Sequence, residues 1–467
     1  MYLELCGAAE GVTGSLHRVH VGDADVLLDC GLFQGHRAEA NRINRELPDW
    51  ASEASALVLS HAHLDHSGAI PTLVKRGFGS SIYCTPATRD LCSVMLRDSA
   101  MIQEQDARYL NKRFERDRAP TRIAPLYDVH DAQRAVSQMI SLPLHRPMRV
   151  AAGVTVTLHN AAHVLGSALV QLDLEENGKR ARLLFTGDLG RDELPLLDDR
   201  EIVAGVDYLL MESTYGDRLH PPLASSDEQL GQIVTDTIGR GGRVLIPTFA
   251  LERAQEVLFA LERLHGQGRM PRVPIYIDSP LAIAITEIYK LHPESLSPDV
   301  AARMLNHENP FSPPGLRYVS DVASSKALQR SGEPCVVMAG SGMCEGGRIL
   351  HHLQGGLSDD RNSVVIVGFQ AQHTLGRRLV EHRPRVKVFG IERDVAARVH
   401  VLNGLSAHAD QAGLLGFARA TAQRGALRGV ALVHGEDAPK RTLAALLEHE
   451  GLPNVVAGHK GLRIDLS

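Results

Sequence analysis

The sequence predicts an α/β protein built as two units, and three observations carry that expectation. At 467 residues the chain is too long for a single core. Its first part sets short apolar runs directly before turns rich in histidine and aspartate, the pattern of buried strands with polar ends. From about Asp207 to residue 393, continuous apolar runs alternate with helical segments, which implies a parallel sheet covered on both faces.

Residues 1–60 read as β-rich, with strands over Leu16–Val21 and Asp25–Leu28. The second ends in Asp29-Cys30-Gly31, a carboxylate at a strand end beside a flexible residue. Ala56-Leu57-Val58-Leu59 is a further buried strand, and the chain then reads His61, His63, Asp65 and His66 within six positions. Neutral imidazoles and carboxylates are the ligands that zinc-like divalent ions accept. Alternation in an extended turn points His61 and His63 the same way, while Asp65 and His66 open the next helix, so one loop can start two metal sites. Ala69, Ile70, Leu73 and Val74 then mark a helix that Gly77 stops. A long polar helix is expected from about Thr88 to Phe114, and Arg113, Arg116, Arg118 and Arg122 form a basic cluster at and beyond its end. Val154–Leu158 is a strand leading to His159 and His163, and Ala181–Thr186 is a strand ending in Gly187-Asp188. Asp188, flanked by a small residue, is placed to bridge two metals, and Asp29 to orient a ligand histidine from behind.

In the middle block, strands are expected at Arg243–Ile246, Pro274–Ile277, Cys335–Met338 and Val364–Val367. Asp278-Ser279-Pro280 reads as a helix cap followed by proline at the first helical position. Residues 292–314, rich in proline and polar side chains, read as a loop. Ser341-Gly342-Met343 lies between a strand and a helix expected from Gly346, where small residues and free amides suit a phosphate, with Arg348 in the first turn. The tail returns to ligand-type residues: Ser406-Ala407-His408 before a helix, and the strand Val430–Val433 before His434-Gly435-Glu436.

Composition narrows the class. A formal net charge of −5 argues against a generally basic nucleic-acid coat, though not against a local basic cleft. Aromatics at 4% leave few stacking platforms for bases. Six cysteines without close pairing read as buried thiols of a reducing compartment. With no basic leader and no apolar run long enough to span a bilayer, the expected location is cytoplasmic, with no membrane partner.

Together these motifs resemble the metallo-β-lactamase superfamily and, within it, the β-CASP nucleases. The resemblance rests on H-x-H-x-D-H at 61–66, Asp29, His163 and Asp188. It rests also on Glu212 in Met211-Glu212-Ser213-Thr214-Tyr215-Gly216, on His408, and on His434 in Val433-His434-Gly435-Glu436. It implies an αββα sandwich over 1–208 and 394–467, interrupted by a β-CASP domain over 209–393. It implies two Zn2+ ions, with Mn2+ also suited to the donors. One would be held by His61, His63, His163 and Asp188, the other by Asp65, His66, Asp188 and His434. Asp65 would also orient the attacking water, and His408, paired with Glu212, would protonate the leaving oxygen. A histidine at 434 favours single-stranded RNA as substrate, with Ser341, Gly342 and Arg348 as RNA contacts. Relatives often carry glycine where His373 stands. The implied activity is an endoribonuclease. A 5′-to-3′ exoribonuclease and a small-molecule ester or thioester hydrolase are the competing readings, and a second copy of the chain is a candidate partner.

Overall fold

A computed structural model describes every residue except 36, 117–121, 193, 369, 403 and 405, so Arg118 of the basic cluster lies outside the described residues. The chain forms two compact units. The first takes Met1–Glu193, Asp198–Leu219 and His408–Ser467; the second takes Leu194–Leu197 and His220–Ala407.

Two seven-stranded sheets make the first unit. One runs Arg463–Asp465, Tyr2–Gly7, Leu16–Val21, Ala24–Leu28, Ala56–Val58, Ile82–Cys84, Met139–Ser141. The other runs Val455–Ala457, Gly429–Val433, Tyr208–Glu212, Lys179–Phe185, Ala168–Glu176, Val154–Asn160, Met148–Ala151. The period-two alternation of side chains decides what each face meets. Val26, Leu28, Ala56 and Val58 share a core with Val156, Leu172, Leu183 and Leu210, so the sheets bury their inner faces on each other. The intervening Leu27 and Leu57 are equally buried and point the other way, toward the helices Ile70–Lys75, Pro86–Arg116 and Val129–Ser137. On the far side, Leu184, Leu209, Met211 and Leu432 pack against Leu414 and Phe417 of helix Gln411–Gln423 and Leu443 and Leu447 of helix Asp437–His449. Each fully enclosed leucine stabilises the fold by about 1.5–3 kcal/mol. The product is a helix–sheet–sheet–helix sandwich, the expected architecture.

The second unit holds a six-stranded sheet ordered Leu316–Tyr318, Ile275–Asp278, Val336–Ala339, Val244–Pro247, Ser363–Ile366, Arg398–Val401, with every neighbour parallel. All residues of Val244–Pro247 and Val336–Ala339 are buried, as a sheet covered on both faces requires. Ser279 caps helix Pro280–Leu291 by accepting from the Ala282 amide.

Three local expectations shift. The unit boundaries fall later than 209 and 393, because Tyr208–Glu212 pairs with Gly429–Val433 in the first unit and Arg398–Val401 pairs with Ser363–Ile366 in the second. Residues 292–314 are not all loop: Pro298–Leu305 is a helix with proline at its first position. The helix expected from Gly346 begins at Ile349, since Gly347 takes a left-handed φ of +68° that a helix cannot continue.

Strand ends deliver the candidate residues. Asp29 follows Ala24–Leu28, the 61–66 loop follows Ala56–Val58, Asp188 follows Lys179–Phe185, Glu212 closes its strand, and His434 follows Gly429–Val433. Gly31 locks this arrangement: its amide donates to the Ser15 carbonyl at 2.9 Å, and an added Cβ would fall 1.6 Å from the Asp65 carbonyl oxygen. We expect Gly31→Ala to push the 61–66 loop outward and to cost about 1–3 kcal/mol or more. Urea unfolding checks this, and an unchanged midpoint would contradict it.

Candidate metal centre

The residue types predicted from the sequence converge in the first unit. His61, His63, His163 and Asp188 form one group of metal-competent donors, and Asp65, His66 and His434 form another, each with ligand atoms within 4.8 Å of one another. In the first, His61 Nε2 and His163 Nε2 lie 3.2 and 3.3 Å from His63 Nδ1 and 3.5 and 3.6 Å from Asp188 Oδ2. In the second, His66 Nε2 and Asp65 Oδ2 lie 3.2 and 3.6 Å from His434 Nε2. The other oxygen of Asp188, Oδ1, stands 3.3 Å from His66 Nε2 and 3.2 Å from His434 Nδ1. Asp188 thus turns one oxygen to each group.

These spacings fit an ion. Donors placed about 2.0–2.1 Å from a tetrahedral zinc stand about 3.3 Å from each other. Asp188 Oδ1 and His163 Nδ1 are buried without a hydrogen-bond partner among the described residues. Burial, aided by the neighbouring imidazoles, holds His61 and His163 well below the usual histidine range, and burial lowers His63 to about 4. All three therefore present lone pairs at neutral pH. Burial opposes charge on His66 too, but Asp188 and Asp29 overcome it and raise His66 well above its ordinary value. A proton there is held by the same carboxylates that would hold a cation. A divalent metal ion fits this centre.

Behind the donors, Asp29 accepts from His66 Nδ1 at 2.7 Å, from Ser15 and Ser60 hydroxyls, and from the Ser60 amide at 2.8 Å. That bond fixes the His66 tautomer and turns Nε2 into the centre. Glu212, fully buried, lies 3.2 and 3.3 Å from His408 Nδ1 and accepts from the Leu189 amide at 2.6 Å. Burial would lower His408, but the Glu212 and Asp188 carboxylates push it up to about 9. The His408 ring stacks at a tilt on His163, with centroids 4.4 Å apart.

Sequence reasoning missed the residues that hold His434. Thr214 Oγ1 donates to the His434 carbonyl at 3.0 Å and lies 3.2 Å from its Nδ1, while Ser213 Oγ donates to the Val433 carbonyl at 2.8 Å. Both stand in the motif that contributes Glu212, but spacing alone does not assign them a partner. His434 and Asp29 also sit at left-handed φ of +48° and +60°, backbone strain that side-chain chemistry does not announce.

In the second unit, Ser341 accepts from the Glu345 amide at 3.4 Å, and Gly342 backs so closely on the Phe249 ring that a Cβ would lie 2.6 Å from it. Arg348 is engaged internally: Nη1 donates to Asp278 Oδ1 at 2.7 Å and to the Val319 carbonyl, and Nη2 donates to the Ser320 carbonyl. His373 is exposed at φ +69°, a backbone setting that favours glycine.

Residues 18–179 match the Metallo-beta-lactamase superfamily domain, 254–379 the Beta-Casp domain, and 392–457 the Zn-dependent metallo-hydrolase RNA specificity domain. Ribonuclease TTHA0252 of Thermus thermophilus is 38% identical over 95% of this chain and 95% of its own length. The chain belongs to the β-CASP branch of the metallo-β-lactamase superfamily. The β-CASP chain is also 30% identical to Transcription termination factor FttA of Methanocaldococcus jannaschii, over 92% of its own residues and 66% of that relative. A solved structure of a protein of unknown function from Enterococcus faecalis V583 matches 99% of both chains, with a TM-score of 0.50 at 14% identity, a likeness of fold alone. As a β-CASP chain with this donor set, it is a metal-dependent hydrolase.

Replacing Asp29 by Ala removes the acceptor that orients His66. Metal affinity is then expected to fall about 10–100-fold with the fold retained. Competition against a chelator, with circular dichroism as the control, checks this; unaltered affinity would remove Asp29 from the centre.

Proposed function

We propose that this chain is a zinc-dependent endoribonuclease acting on single-stranded RNA. The observation that carries the reading is the shared carboxylate: two donor groups meet at Asp188, with the His408–Glu212 pair beside them. The relatives named as a ribonuclease and as a termination factor support RNA as the substrate. His61, His63, His163 and Asp188 would hold one ion and Asp65, His66, Asp188 and His434 the other; manganese would suit the same donors.

Bound at this centre, two divalent ions supply Lewis acidity, which acidifies water and offsets phosphate charge. Asp65, partly exposed and at the rim of the donor set, accepts and orients a proton of the attacking water. His408 carries a proton at neutral pH because Glu212 and Asp188 face it, and it passes that proton to the leaving oxygen. Glu212 fixes the ring by holding Nδ1, so Nε2 is the donating atom. Ser341, Gly342 and Arg348 are the proposed phosphate contacts in the second unit, Arg348 also donating to Asp278. Among the described residues no helix is long and apolar enough to cross a membrane. A cytoplasmic setting and self-association as a homodimer belong to this proposal.

Single-stranded RNA labelled at either end, with matched DNA beside it, tests the reading. Internal RNA fragments, absent with Asp65→Ala, are expected. Mononucleotides released from the 5′ end alone would replace it with a 5′-to-3′ exoribonuclease, and intact polymers with metallated protein would point to a small ester or thioester.

His408→Ala is expected to keep its zinc and lose cleavage by about 10²–10⁴-fold, the usual worth of a positioned acid. Loss of zinc would instead make His408 a ligand. The sign of the pH effect follows from the carboxylates: they raise His408, so its acid form is present below its pKa and lost as pH rises through it. Glu212→Gln removes one of those charges, and the alkaline limb of the pH–rate profile should move to lower pH. A limb that stays in place, or moves up, would separate Glu212 from the proton donor.

A further inference from the structure

We propose that His145, His159 and Glu201 form a second, peripheral metal site on the first unit, for a divalent cation of the zinc class. None of the three belongs to the donor set at Asp188. Their ligand atoms lie within 4.8 Å of one another. His145 Nε2 stands 2.9 and 2.8 Å from the two Glu201 oxygens, and His159 Nδ1 stands 3.6 Å from Glu201 Oε2.

The backbone brings these side chains together where Val154–Asn160 runs on past its pairing with the edge strand Met148–Ala151. His159 is part of the strand Val154–Asn160. His145, at a left-handed φ of +63°, is tied beside that strand by its amide, which donates to the Leu158 carbonyl at 2.8 Å. Glu201 is clamped to the next residue: its amide donates to the Asn160 carbonyl at 3.0 Å, and its Oε1 accepts from the Asn160 amide at 2.8 Å. Oε2 is left facing both imidazoles.

A hydrogen-bond chain fixes which His159 nitrogen carries the proton. Gln171 Nε2 donates to Asp173 Oδ2 at 2.8 Å, which turns the amide oxygen, an acceptor only, toward His159 Nε2 at 3.0 Å. Nε2 must therefore donate. Nδ1 is then the nitrogen that faces Glu201 Oε2, so that a proton or a metal cation on Nδ1 lies between the imidazole and the carboxylate. Orientation of a ligand histidine through its other nitrogen is the arrangement that metal sites use. Burial alone would raise the Glu201 carboxyl; His159, the Asn160 amide and His145 instead bring it down to about 2, so the acid is ionised at neutral pH. Two imidazoles and a carboxylate, with the His145 side chain 59% exposed, leave coordination positions open to water.

Equilibrium dialysis against zinc, with metal counted per chain, tests the site without any reference to RNA cleavage. Wild-type protein is expected to bind one equivalent more than His145→Ala and one more than Glu201→Gln, with circular dichroism showing each variant folded. Gln171→Leu, which frees the His159 tautomer, should weaken that equivalent about 10–100-fold, a change that a plain His145–Glu201 ion pair would not produce. The same number of bound equivalents in wild type and in folded His145→Ala and Glu201→Gln would overturn the proposal.

Discussion

Asp188 is a carboxylate withdrawn almost completely from water, and burial by itself would force it to take up a proton. It stays ionised because His434, His66 and His408 surround it and hold it well below the usual carboxylate range. The dependence runs both ways. His61, His63 and His163 are kept neutral by burial on one side of the same group, while His66 is kept charged by it on the other. Burial therefore leaves lone-pair donors on one side of the anion, while carboxylates hold a cation-like partner on the other. Geometry serves that sorting: Oδ2 faces the first group and Oδ1 the second. Two groups of candidate metal donors meet where this single side chain sits.

The sheets make that position attainable. Because the strands carrying Asp29, the 61–66 loop, Asp188, Glu212 and His434 all stop at the centre, no donor has to reach far. At the centre, Asp29 and His434 both take left-handed backbone turns that swing a side chain inward. Asp29 repays its strain with bonds to His66, Ser15 and Ser60, and His434 is held by Ser213 and Thr214 from the neighbouring strand.

Much of this was legible in the sequence. Each donor type stands in a short local pattern at the end of an apolar run, and such patterns survive without knowledge of what packs where. What escaped was non-local. Tyr208–Glu212 reads as the start of the alternating block, yet it pairs with a strand more than two hundred residues later. Arg348 reads as a helix-start arginine, and only the fold reveals buried Asp278 as its partner. The helix Pro298–Leu305 hid in a proline-rich stretch because Ser297-Pro298 can equally open a loop or a first helical turn. His145, His159 and Glu201 are unremarkable in sequence, since nothing local links three residues from three segments.

The pairing of the strand at Tyr208 with the strand at Gly429 has a consequence for the order of synthesis. His66 and His434 are 368 positions apart, and the whole second unit is translated between them. A nascent chain displaying His61 through Asp188 has every candidate donor except His434, and it lacks His408, the proposed proton donor. On the proposed roles, both halves of the centre would be complete only once translation has passed His408 and His434.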